Sequence, residues 1–94
     1  MAMTTIAAYD VTDDGRRSRL AALLQQYGDR VQKSVFLLDV DSESLEEISR
    51  RAQSLVDAGT DSLYFFPLCL SCSSRTILVG QAQPPEAVLF WAAL

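Results

Sequence analysis

The stretch Arg30-Val31-Gln32-Lys33-Ser34-Val35-Phe36-Leu37-Leu38-Asp39-Val40 decides the architecture. Its length allows either one long strand or two short strands separated by a bend near Lys33-Ser34. Upstream, Met3–Val11 is rich in β-branched and aromatic residues and predicts a strand. From Asp13 to Tyr27 the apolar residues Leu20, Leu23, Leu24 and Tyr27 follow helical spacing, with Gly28 as the expected stop. Downstream, Asp41-Ser42-Glu43-Ser44 marks a second helix start, and Ser44-x-x-Glu47 fits a capping box. That helix is expected to run to about Ala58, with Leu45, Ile48, Ala52, Leu55 and Val56 inward and Gly59 ending it. Glu46–Arg50 and Glu47–Arg51 have the favourable i,i+4 order of a solvated face.

Ser62–Leu68 (SLYFFPL) predicts a strand with Pro67 at its end or on an edge, and Arg75–Val79 (RTILV) a further one. Splitting the 30–40 stretch gives βαββαβ followed by β. This is an α+β, ferredoxin-like sandwich with an additional C-terminal strand. Both helices fall on one face, so the other apolar face needs cover, and a second copy of the chain is the obvious candidate. The tail AVLFWAAL, residues 87–94, is apolar to its last residue and is expected to dock on its own sheet or on a partner's edge.

Ninety-four residues make one small domain. No stretch approaches the ~18 uninterrupted apolar residues of a membrane span, and the N-terminus does not read as a signal peptide; a cytoplasmic location is the default expectation. Histidine is absent, which removes Ser-His-Asp and Cys-His chemistry and imidazole-bound zinc. Net charge is −4, which argues against indiscriminate nucleic-acid binding. The distribution differs from the total. Five of the eight basic residues (Arg16, Arg17, Arg19, Arg30, Lys33) lie between positions 16 and 33, opposed by Asp14 and Asp29.

Tyr9-Asp10 closes the first strand, and Thr12-Asp13-Asp14-Gly15-Arg16-Arg17-Ser18-Arg19-Leu20 follows. A carboxylate at a strand tip can hold a divalent metal, although Asp is equally a turn former or cap. Arginines in a first helical turn are mildly unfavourable against the dipole, and Asp13 and Asp14 offset them. Guanidinium forks and free backbone N–H groups together suit phosphate oxygens. Cys69-Leu70-Ser71-Cys72 is a single CxxC; structural zinc takes four ligands, so the pair reads as reduced thiols in a loop unless two copies combine theirs.

The run YDV-TDDGRRSRL…YGDRVQKSVF…FFPLCLSC resembles the second CRISPR-associated protein family, the small ferredoxin-like member of the spacer-acquisition machinery. The match runs from Met3 to about Gly80. The resemblance implies a homodimer that acts as a metal-dependent endonuclease on single-stranded RNA or double-stranded DNA. It also implies a scaffold role between CRISPR integrase subunits, contacting the DNA backbone. Carried over residue by residue, it implies Asp10 as the metal-binding catalytic carboxylate, flanked by Tyr9. Arg17, Arg19 and Arg30, with Arg16 in the same motif, become phosphate contacts, and Phe36 packs near the site. The implied ion is Mg²⁺, with Mn²⁺ as a substitute. The last strand of the family tends to pair with the partner protomer, which makes 81–94 a docking tail. Read from the residues alone, one aspartate is a poor Mg²⁺ site, and a two-fold axis pairing Asp10 with its symmetry mate would supply the second carboxylate. A non-catalytic bridging dimer and a ligand-binding regulatory domain are the competing readings of the same fold.

Overall fold

The computed structural model describes residues 3–68 together with 75, 77, 79 and 80. The element order is β1 (Met3–Asp10), α1 (Asp14–Gln25), β2 (Gly28–Gln32), β3 (Val35–Val40), α2 (Ser42–Leu55) and β4 (Ser62–Leu68). The bend does fall at Lys33-Ser34. The sheet runs β2-β3-β1-β4 with every neighbour antiparallel, so the chain has the ferredoxin-like βαββαβ fold. Arg75, Ile77 and Val79 are described and lie outside any strand. The rest of that expected strand lies outside the described residues, as do Cys69, Cys72 and the tail 81–94.

Strand alternation divides the sheet into two unlike faces. Thr5, Ala7 and Tyr9 of β1 and Phe36, Leu38 and Val40 of β3 are buried with Leu20, Leu23 and Leu24 of α1 and Ile48 and Ala52 of α2. That is the core. On the other face, Ile6 pairs with Leu37 and Phe66, and Ala8 with Val35 and Tyr64. Tyr64 and Phe66 are about half exposed, 55% and 50%, and their rings stack at 5.7 Å. No helix of the described residues is long and apolar enough to cross a membrane.

Four local expectations are corrected. Gly28 is not a helix stop: α1 ends at Gln25 with Gln26 as its cap, and Gly28 opens β2 opposite Leu38. A Cβ there would collide with the Leu37 carbonyl and lie 2.7 Å from Leu38 Cα, so the glycine serves a close backbone approach rather than a left-handed turn. The second helix is capped by Asp41, which accepts from Ser44 N at 2.7 Å; Ser44 lies inside the helix, so the Ser44–Glu47 capping box is not formed. It also ends at Leu55, before Ala58. The charged pairs differ too: Arg50 pairs with Glu47 at i,i+3, while Arg51 donates to the Tyr27 hydroxyl at 3.3 Å. Gly28→Ala is expected to lower stability by about 1–3 kcal/mol, the range of overpacking, read as the midpoint of urea unfolding.

Candidate functional site

β1 is a central strand, and its last residue, Asp10, is exposed on the open face beside Ser62 of β4. Its neighbour Tyr9 points to the other side. The Tyr9 ring is buried, 6.3 Å from that of Phe36, and its hydroxyl has no hydrogen-bond partner among the described residues. Tyr9 is thus a core residue adjoining the tip in sequence. Its backbone N–H donates to the Ser34 carbonyl at 3.1 Å, tying the tip to the β2–β3 bend.

Phe36 is fully buried, and the Arg30 guanidinium lies over its ring, 5.1 Å from the centroid. This cation–π contact gives an exposed arginine a fixed seat. Phe36 therefore acts on the basic surface through Arg30, on the face opposite the Asp10 carboxylate.

The structure divides the arginines of α1. Asp13 caps the helix by accepting from Arg16 N at 2.8 Å, and that bond holds its carboxyl below the ordinary value. Arg17 donates to the Val11 carbonyl at 2.9 Å and pairs with Asp14. Arg16 reaches 45 residues along the chain to Asp61: Nε to Oδ2 at 2.9 Å, Nη2 to Oδ1 at 3.3 Å. Arg19 is exposed and makes no hydrogen bond or ion pair among the described residues. Arg19 and Arg30 thus present their charge outward, while Arg16 and Arg17 are engaged internally.

Asp61 is a residue that sequence reasoning missed. Its side chain is fully buried and also accepts from Asp57 N at 2.9 Å. The side-chain hydrogen bond from Arg16, with that backbone bond, pulls its pKa from 3.8 to about 2. A depressed carboxylate pKa stabilises the fold above the unfolded value, so this contact is complete above about pH 4 and fades as pH falls toward 2. Nothing local in the stretch Asp57–Asp61 distinguishes Asp61 from a loop acid; only the fold brings Arg16 to it.

A groove of about 520 Å³ runs between α2 and β4, lined by residues that include Leu45, Ser49, Phe65 and Pro67. Phe65 and Pro67 belong to the helix-covered face, so the groove does not contain Asp10. Among the described residues no three Asp, Glu, Cys or His side chains gather as a metal site. Among the described residues, the strand tip of one copy offers Asp10 alone.

A model of the CRISPR associated protein Cas2 family matches residues 3–76. The chain belongs to this family. It is 51% identical over 79 residues to the CRISPR-associated endonuclease Cas2 2 of Thermus thermophilus, covering 84% of this chain and 83% of that relative. It is 37% identical over 79 residues to the CRISPR-associated endoribonuclease Cas2 1 of Archaeoglobus fulgidus, covering 83% and 84%. The crystal structure of Streptococcus pyogenes Cas2 at pH 6.5 aligns with a TM-score of 0.74 at 31% identity, over 83% of this chain and all of that one. A crystal structure of a hypothetical protein from Thermus thermophilus aligns at 0.81 and 40% identity, over 92% and 100%. The Cas2 relatives are named as endonucleases and endoribonucleases, so the family is a nuclease family, and the chain's function is CRISPR-associated.

Proposed function

We propose that this Cas2 chain works in spacer acquisition as a homodimeric, metal-dependent endonuclease that hydrolyses phosphodiester bonds, with single-stranded RNA as substrate and double-stranded DNA as the alternative. The observation that carries the reading is the position of Asp10. It is exposed at the end of a central strand, on the face whose apolar residues Ile6, Ala8, Tyr64 and Phe66 have no helix of the described residues over them. Packing two such faces about a two-fold axis covers both and brings two Asp10 tips to one seam.

The donor set fits Mg²⁺ or Mn²⁺ only at such a seam. Mg²⁺ keeps several waters and takes one or two carboxylates with substrate phosphate, and one copy supplies a single carboxylate. The two Asp10 side chains would hold the ion, which when bound polarises a phosphate oxygen and makes a water more acidic. The protein's own contribution is binding and orientation. Arg19 and Arg30 engage backbone phosphates, and the Phe36 ring holds Arg30 in place.

A scaffold that bridges CRISPR integrase subunits and holds the DNA backbone is the second reading. The exposed Arg19 and Arg30 serve it equally, since phosphate binding needs no cleavage. Incubating purified protein with single-stranded RNA and double-stranded DNA, with Mg²⁺, Mn²⁺ or EDTA, separates the two. Metal-dependent products support the nuclease; salt-sensitive binding without products supports the scaffold. In either case Arg19→Gln and Arg30→Gln are each expected to lower the slope of log affinity against log salt by about one. An unchanged slope in both variants would remove them from the phosphate surface.

A further inference from the structure

We propose that Asp61, acting through Arg16, is a positioning residue that holds the Asp10 tip in place, and that Arg16 is not a phosphate contact. This rests on the reading of Asp10 as the catalytic carboxylate. Asp61 immediately precedes Ser62, the β4 residue paired with Asp10. Its carboxylate is gripped by Arg16 from the first turns of α1 and by Asp57 N from the loop behind it. The β1–α1 connection is therefore fastened at both ends: Arg17 holds the Val11 carbonyl, and Arg16 ties the helix start to the strand beside Asp10. The seat is built, since the Asp61 side chain is fully buried and only 27% of the Arg16 side chain is exposed. The Arg16 charge is answered within the protein and is not free to answer a phosphate.

The hydrogen-bond pattern makes a sharp distinction. Oδ2 receives both Arg16 Nε–H and Asp57 N–H, while Oδ1 receives Arg16 Nη2–H and the Thr60 hydroxyl. An Asn at position 61 must turn an NH₂ toward donors in either orientation. Asp61→Asn, although isosteric, breaks the contact.

The test compares wild type with Asp61→Asn, Arg16→Gln and Arg16→Lys, each confirmed as folded by circular dichroism. Three quantities are measured: steady-state cleavage of a single-stranded RNA with Mg²⁺, the salt dependence of RNA binding in EDTA, and amide hydrogen exchange. Asp61→Asn and Arg16→Gln are expected to lower kcat about 10-fold, because small displacements of a reacting group are costly, with KM unchanged. The salt slope stays at the wild-type value, amide exchange quickens at residues 10–12 and 62, and Arg16→Lys, which keeps the charge, recovers part of kcat. A salt slope lowered by about one in Arg16→Gln, with raised KM and unchanged kcat, would overturn the proposal by making Arg16 a phosphate contact. Unaltered kcat and exchange in Asp61→Asn would overturn it as well. Should wild type cleave nothing, the Asp10 reading fails, and exchange with the salt slope still decides. Local loss of protection at the tip with an unchanged slope supports the fastening, and unchanged protection overturns it.

Discussion

Asp10→Asn is expected to leave the fold and the proposed dimer intact while reducing the proposed Mg²⁺-dependent cleavage by about two to three orders of magnitude, the scale seen when a preorganised charge-stabilising group is removed. The expectation separates chemistry from stability because of where the residue stands. Asp10 is exposed, and its carboxylate makes no hydrogen bond or ion pair among the described residues. Replacing it therefore sacrifices no packing and orphans no buried donor. Asn keeps the volume and removes the charge that a divalent ion needs. Cleavage assays on protein freed of contaminating nucleases, with the thermal midpoint as a control, check it. Full activity in the variant would remove Asp10 from the chemistry.

Phe66→Asp is expected to convert the protein to a folded monomer and to abolish cleavage with it. Phe66 lies on the open face beside Ile6 and stacks on Tyr64. It is already half exposed in the single chain, so a charge there costs the isolated fold little. At a two-fold seam the same position occurs twice. Losing the burial of two half-covered phenylalanines is worth about 3 kcal/mol, or about 100-fold in dimer affinity, before the cost of desolvating two carboxylates is counted. Sedimentation should show a monomer with an unchanged circular dichroism spectrum. Activity should fall with the dimer, because in the proposed arrangement each copy contributes one Asp10 to a two-carboxylate site. A stable, active Phe66→Asp dimer would place the seam elsewhere.

What could be read from the chain follows how local each signal is. The bend at Lys33-Ser34, the alternation along Met3–Asp10 and the helical spacing of Leu20, Leu23 and Leu24 are local patterns, and they led to the fold. Asp41 and Ser44 are competing caps three residues apart, and spacing alone did not choose between them. Gly28 is where a one-dimensional reading failed: a glycine after a helix looks like a stop, whereas its need arises from the Leu37 backbone. Arg16 shows the same limit at the site. Its motif groups it with Arg17, Arg19 and Arg30, whereas the residue it pairs with, Asp61, lies 45 residues away. A contact of that range leaves no periodic trace.

Tyr9 and Asp10 sit side by side and face opposite ways, one ring sealed under the helices and one carboxylate in water. A slip of β1 by a single residue would exchange them. The charge would be driven into the apolar interior and the aromatic ring turned out to solvent. A misaligned strand is thus penalised at its very end, so the chain proofreads its own alignment where an error would do most harm.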